Sequence, residues 1–175
     1  MADEEAINRG NGSDEPGTEP QVGLIAQYIK DFSVESPSAP QAFQWQVQPQ
    51  LEVQFNINVQ KIADDVHEVV LKIEAAARSD QGVHFLVDLS FAGLYGLRNF
   101  PEEALPPFLL IEAPRLLFPF ARQIIADATM NTGFPPLLLE PIDFAAAYMS
   151  QLQAQEAPAG TEGGEAAPSE SPPES

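Results

Sequence analysis

The sequence predicts an α+β domain in which helices pack on one face of a four-stranded antiparallel sheet. Apolar and polar residues alternate from Leu51 to Gln60, and again over 68–75 and 83–91. A period of two places the apolar side chains on one face of each strand, with polar side chains on the other. The segment 22–35 alternates less regularly, because Lys30 falls among its apolar positions. Short turns at Asp64-Asp65 and 79–82 indicate antiparallel neighbours for the last three strands.

The second half of the chain predicts helices, and strands followed by helices are typical of α+β domains. Several prolines occur in the apolar segment 100–131, so one straight helix is not expected there. Arg115–Asn131 is the clearest helix, and Gly133 is placed to end it. Asp143 is placed to cap a last helix from Phe144 to about Gln153. The expected buried face of the first helix comprises Leu116, Leu117, Phe120, Ile124 and Ala128.

Composition divides the chain into three parts and narrows its partners. Residues 1–21 are rich in Asp, Glu, Gly, Asn and Pro, and residues 156–175 are similar, so we expect disordered tails around a domain at 22–155. The 26 acidic and 8 basic residues give a net charge of −18, which disfavours nucleic acids and anionic membranes as partners. No signal-peptide pattern and no apolar run approaching 20 residues are found. We therefore expect a cytoplasmic protein without membrane insertion.

Motifs of catalysis are missing from the sequence. It has no cysteine, no nucleophile elbow, no phosphate-binding glycine loop and no metal-ligand spacing. Of the two histidines, His67 falls in the apolar register of its strand and is expected in the core or at its rim. His84 falls in the opposite register and is expected to be exposed. We predict no enzyme, no cofactor and no metal site.

The segment 36–50 is unusually long for a connection between two strands. It carries Phe43, Trp45 and Val47, which alternate with glutamines and share one side if the loop is extended. An apolar stripe on such a loop is either a lid on the core or the wall of a binding groove. Composition alone leaves both interpretations open.

Four segments resemble a known family. IKDFSVESPSAP at 29–40, ADDVHEVVLKIEA at 63–75, LFPFAR at 117–122 and TGFPPLLLEPIDF at 132–144 are similar to the bacterial protein-export chaperones of the SecB family. The resemblance covers residues 22–153 in order and with matching spacing. One departure is that a tryptophan typical of the family aligns with Val47, whereas the tryptophan of this chain is Trp45.

The resemblance implies both the assembly and the function. The first two strands of the domain would be joined by a crossover loop, which places the first strand beside the fourth. Four chains would form a dimer of dimers with helices at the central interface. The protein would be an ATP-independent chaperone that holds unfolded secretory preproteins, here called clients, in a groove lined by Phe43, Trp45 and Val47. It would deliver them to the export ATPase SecA through a docking face made of Asp31, Glu35, Leu86 and Asp88.

Two rival functions are considered when the resemblance is set aside. A peptide-binding adaptor would use the same groove for one short motif and ignore the folding state of its target. A small-molecule-binding or enzymatic α+β domain would need a closed pocket with convergent polar groups, for which the sequence offers no residues. A chaperone would suppress the aggregation of an unrelated denatured protein without ATP, whereas neither of these two rivals would.

Overall fold

The computed structural model describes residues 19–156. The two predicted tails, 1–21 and 156–175, lie almost entirely outside these residues. The described part contains one sheet and a set of helices that cover part of one of its faces. We call the opposite side of the sheet the outer face.

Four antiparallel strands form the sheet, as the alternation predicts. They are β1 (Gln21–Glu35), β2 (Gln50–Ala63), β3 (Val66–Ser79) and β4 (Gly82–Arg98). Their order is β1-β4-β3-β2, so strands β1 and β2 are adjacent in sequence but lie at opposite edges. The connection 36–49 must therefore cross the whole sheet, and the expectation of a crossover loop is confirmed.

Two bulges interrupt the alternation of β1. Ile25 is an extra residue between the pairs Leu24–Tyr95 and Ala26–Leu94, and Lys30 is a second one further along the strand. Each bulge reverses the faces of the residues that follow it. Tyr28 therefore lies on the outer face rather than with the core, which the simple period of two did not predict.

The second bulge is held by a buried carboxylate. Glu68 on β3 is buried, and it accepts hydrogen bonds from the Tyr28 hydroxyl and from Lys30 Nζ, the latter at 2.6 Å. These bonds reach across β4, where Ala92 stands opposite Tyr28 and leaves room for them. Both hydrogen bonds lower the pKa of Glu68 below its usual value, and the bond from Lys30 has the larger effect.

Glu68 should make stability depend on pH in the acid range. Because its pKa is lower in the folded state, its contribution is complete above the ordinary value of 4.5 and disappears as the pH falls through the folded value. We expect Glu68→Gln to lower the free energy of unfolding at pH 7 and to lose this effect well below pH 4.5. Urea unfolding of both proteins between pH 7 and pH 3 measures the difference. The exposed Glu103→Gln is the control, and an equal, pH-independent loss in Glu68→Gln would contradict the linkage.

The helical half begins with a continuous run of different helical turns. A 3₁₀ turn at Glu102–Ala104 leads into α1 (Leu105–Pro107), a π-helical turn (Phe108–Glu112) and α2 (Ala113–Asn131), and after a linker α3 spans Phe144–Glu156. The prolines lie mainly in first turns, where the absent amide hydrogen costs least. The C-terminus of α2 is closed by Gly133, whose φ of 89° suits glycine, and Asp143 Oδ1 accepts the amide of Ala146 at 2.9 Å. The predicted end of α2 and the predicted cap of α3 are confirmed, whereas α2 begins before Arg115 and α3 extends beyond Gln153.

The buried face of α2 differs from the predicted one. Leu117, Ala121 and Ile125 pack on the sheet, whereas Leu116 and Phe120 are 55% and 49% exposed. Apolar residues occur on several sides of this helix, so periodicity did not identify the face that contacts the sheet. The face prediction was therefore wrong for those two residues.

Close contact between α2 and the sheet depends on β4. A Cβ atom at Gly93 would lie 2.9 Å from Leu117 Cδ2, so a glycine is needed where the helix crosses the strand. Nearby, the buried Tyr95 hydroxyl donates to the Ala113 carbonyl at 3.2 Å, and burial raises the pKa of Tyr95 to about 12. The helix is thus fixed at its first turn.

The helical segment 102–131 also has the length and apolar composition of a membrane span, contrary to the expectation from sequence. Core helices of folded domains share these two properties. Because α2 contributes Leu117, Ala121 and Ile125 to the core, the segment is weak evidence for membrane insertion.

Candidate functional site

The crossover loop folds into a compact turn before it becomes extended. Residues Gln41–Gln44 form one turn of 3₁₀ helix, and Trp45 follows with an extended backbone. Ala42 is buried and fixes the middle of the loop, while Ser36 Oγ donates to the His84 carbonyl at 3.0 Å near its start. The sequence-based prediction of an apolar stripe assumed a fully extended loop, and the 3₁₀ turn shows that only part of the loop is extended.

The three predicted apolar residues nevertheless line one groove. Phe43, Trp45 and Val47 form one wall of an open groove of about 510 Å³ at the end of the sheet. Phe43 and Val47 remain 52% and 41% exposed, so they cover the core incompletely and present apolar surface to solvent. We call this feature the crossover groove. Its other lining residues are Ala42, Gln48, Pro49, Leu51, Ala77, His84, Phe85 and the linker 133–137.

Two glycines seat the aromatic residues of the loop. A Cβ atom at Gly82 would lie 2.9 Å from Trp45 Cη2, and one at Gly133 would lie 2.9 Å from Phe43 Cε1. Both glycines have positive φ, because Gly82 closes the β3–β4 turn and Gly133 ends α2. Local sequence predicts these residues only as turn and cap positions, and their contacts with the groove arise from the fold.

The opposite wall is the linker after α2, and a buried threonine holds it. Thr129 Oγ1 accepts the Leu137 amide at 2.8 Å and donates to the Ile125 carbonyl at 3.0 Å. Phe134 of this linker contacts Phe43 across the groove, with ring centroids 5.3 Å apart. The two walls therefore meet through aromatic contacts.

His84 lies in the floor of the groove and not in solvent, so the prediction that it is exposed was wrong. It is 3% exposed, and its ring lies between those of Trp45 and Phe134 at centroid distances of 4.9 Å and 5.7 Å. The cause is a third bulge, since Ala77 pairs with Phe85 and Arg78 with Val83, which leaves His84 as the extra residue. The bulge reverses the face that alternation assigns to it.

The other histidine lies where it was expected. His67 is partly buried at the rim of the core, opposite Tyr95, and its Nδ1 has no hydrogen-bond partner within residues 19–156. Burial, and to a lesser extent Lys61, lowers its pKa.

The predicted docking residues lie together on the outer face. The strand register pairs Glu35 with Leu86, and Asp88 lies opposite Ser33, one position from Asp31 along the strand face. Asp31 and Glu35 are exposed, and no cation of residues 19–156 forms an ion pair with either. Leu86 is partly exposed. The four residues thus occupy one end of the outer face, next to the crossover groove but on the other side of the sheet.

The charges on this face are not equivalent. Lys72 Nζ lies 3.2 Å from Asp88 Oδ2 and 3.0 Å from Glu74 Oε1, and these two carboxylates raise the pKa of Lys72, Glu74 more than Asp88. Asp88 Oδ1 is buried without a partner in the described part of the chain. Of the three carboxylates expected around Leu86, those of Asp31 and Glu35 form no ion pair within residues 19–156, whereas that of Asp88 is paired with Lys72.

The chemistry of the two surfaces differs sharply. The crossover groove contains no Asp, Glu, Lys or Arg side chain among the residues described, in a chain of net charge −18. No group of three or more His, Asp or Glu side chains within residues 19–156 could hold a metal ion. An open, uncharged apolar groove built by a loop and a linker is suited to an extended polypeptide. Such a fold and groove are what is expected of a polypeptide-binding chaperone.

The comparison with protein families identifies the chain. The model of the preprotein translocase subunit SecB matches residues 15–155, so the chain belongs to the SecB family. Members of this family act as chaperones in protein export and are not enzymes.

Curated relatives agree over almost the whole length. The protein-export protein SecB of Sphingopyxis alaskensis is 48% identical over 171 residues, which is 96% of this chain and 98% of that protein. That of Zymomonas mobilis is 54% identical over 143 residues, with coverage of 82% and 87%. The protein-export protein SecB of Rhizorhabdus wittichii is 58% identical over 138 residues, which is 79% of this chain and 83% of that protein.

A solved structure supports the fold. The SecB-like chaperone Rv1957 of Mycobacterium tuberculosis, in complex with a peptide from the HigA1 antitoxin, superposes with a TM-score of 0.57. It is 19% identical and covers 69% of this chain and 90% of its own. At this identity the likeness shows the fold alone.

Proposed function

We propose that this protein holds unfolded secretory preproteins in the crossover groove without ATP and delivers them to the SecA ATPase in the cytoplasm. The observation that carries the proposal is the groove itself. Phe43, Trp45 and Val47 meet the linker 133–137 in an open channel that no charged side chain lines within residues 19–156. A folded protein has already buried the apolar segments that such a groove accepts, so selection for unfolded chains follows from its chemistry.

Simple energetics favours several weak grooves over one strong site. A client segment that buries about 400 Å² of apolar surface gains roughly 10 kcal/mol. Ordering about eight client residues costs roughly 1–2 kcal/mol each, which cancels most or all of that gain. Useful affinity then requires one long client to engage several grooves at once. This is a physical reason for an oligomeric chaperone.

The proposed oligomer is a dimer of dimers. Apolar residues exposed on the helix-covered side of β1 and on α2 support it, because such surfaces usually become interfaces. These residues are Val22, Leu24, Ile29, Phe32, Leu116 and Phe120.

Sedimentation equilibrium at micromolar concentration should give the mass of four chains. Leu116→Asp with Phe120→Asp places carboxylates in the proposed interface and should give smaller species with an unchanged circular dichroism spectrum. A wild-type mass of one chain, independent of concentration, would rule out the assembly and the argument from several grooves.

Suppression of aggregation tests the holding function. We expect the protein, without nucleotide, to prevent light scattering by an unrelated denatured protein as it is diluted from guanidinium. Adding ATP should change nothing. An adaptor for one motif would leave the scattering unchanged, and so would a domain that binds a small molecule. Unchanged scattering would therefore disprove the proposal.

A further inference from the structure

A buried histidine connects the two walls of the crossover groove. The His84 ring meets the Trp45 ring edge to face, at an interplanar angle of 75°, and also contacts Phe134. The backbone carbonyl of the same residue accepts the hydrogen bond from Ser36 at the start of the crossover loop. One residue of β4 therefore touches the loop, its tryptophan and the opposite linker.

The orientation of the His84 ring is fixed from behind. Its Nε2 lies 3.0 Å from Ser79 Oγ, in the turn that joins β3 to β4. The bulge at this position directs the side chain toward the groove, where only 3% of His84 is exposed, so it offers a client almost no surface. A ring held by its backbone and by one nitrogen is a rigid support for the indole above it.

We propose that His84 is a positioning residue of the crossover groove, which keeps the indole of Trp45 at the wall and so holds the groove open. This inference rests on the proposed client function of the groove. Without the imidazole, the indole can move into the vacated space toward Phe134 and narrow the channel. The client then loses a preformed apolar wall, although the replaced residue itself contributes almost no exposed surface to the groove.

The test combines client affinity with the fluorescence of the single tryptophan. Reduced, carbamidomethylated ribonuclease A is the probe, because it stays unfolded and contributes no tryptophan signal. We expect His84→Ala to weaken its binding about fivefold, in line with the loss of one aromatic pair. The access of acrylamide to Trp45 in the free protein should change in the same variant. His84→Phe keeps a ring of similar size and should restore both values to within about twofold.

A double-mutant cycle separates positioning from general damage. If His84 acts through Trp45, Trp45→Ala with His84→Ala should bind no more weakly than Trp45→Ala alone. Additive losses, or a His84→Ala variant with unchanged affinity and unchanged acrylamide access, would overturn the inference while leaving the groove proposal intact. Unchanged affinity in Trp45→Ala would instead overturn both. Thermal unfolding of each variant confirms that the protein measured is folded, and His84→Phe keeps the test decisive if His84→Ala does not fold.

Discussion

Replacing Phe43 and Trp45 together with alanine should reduce client affinity at least about tenfold, because two large aromatic surfaces leave the groove wall. Phe43 is half exposed, so its loss should cost little stability. We expect the free energy of unfolding to fall by less than about 1–2 kcal/mol. In contrast, Leu71→Ala removes a fully buried side chain and should cost about 2–5 kcal/mol. Titration with an unfolded client and urea unfolding give the two quantities.

Ile62→Ala is the matched control for exposure. Ile62 is 52% exposed, as Phe43 is, but it lies at the far end of β2 and outside the groove. It should leave client affinity unchanged. If the Phe43 and Trp45 variant is largely unfolded while its folded fraction binds clients normally, these residues are lids on the core and the groove assignment is wrong.

Reversing the charge of Asp31 and Glu35 together should weaken SecA binding by about tenfold or more at low salt. Both carboxylates are exposed and lack an ion-pair partner within residues 19–156, so they are available to a basic partner. Exposed charges are screened beyond about 8–10 Å at physiological ionic strength, so wild-type binding should also weaken as salt is added. Client affinity should not change, because the crossover groove lies on the other side of the sheet.

Asp88, the third acid of the predicted docking face, needs a milder change. Asp88→Lys would place two cations together, because Asp88 pairs with Lys72, so Asp88→Asn is the more informative variant. Glu102→Lys with Glu103→Lys changes the net charge equally at the start of the helical half and serves as the control. Equal losses in that control would assign the effect to net charge, and unchanged binding in the Asp31 and Glu35 variant would place docking elsewhere.

The sequence predicted the sheet well where one face of a strand is covered. In β3 and β4 the alternation reports burial directly, and residues such as Leu71 and Leu89 are fully buried as expected. Bulges limited the prediction in β1 and at His84, because one extra residue reverses the face of a side chain without changing the residue types around it. The register beyond each bulge follows from pairing across the sheet, which a single strand does not contain.

The groove was predicted in its residues but not in its construction. Phe43, Trp45 and Val47 were identified because a long apolar loop between strands is unusual. Their supports, Gly82, Gly133 and His84, lie far away in sequence and have other local explanations as turn, cap and strand residues. Only the fold brings them beneath the loop, so no local pattern could connect them.

The position of β1 at the sheet edge opposite β2 has a consequence for biosynthesis. Strand β1 is made first, yet its partner β4 begins only after β2 and β3, with paired residues roughly 50–80 positions apart. At a synthesis rate of about 5–20 residues per second, the first strand emerges several seconds before the last. The β2–β3–β4 meander is joined by two tight turns and closes with little loss of chain entropy, whereas β1 must close a much longer loop. During translation the nascent chain therefore exposes an apolar strand without a partner, which leaves this protein vulnerable to aggregation until its last strand is made.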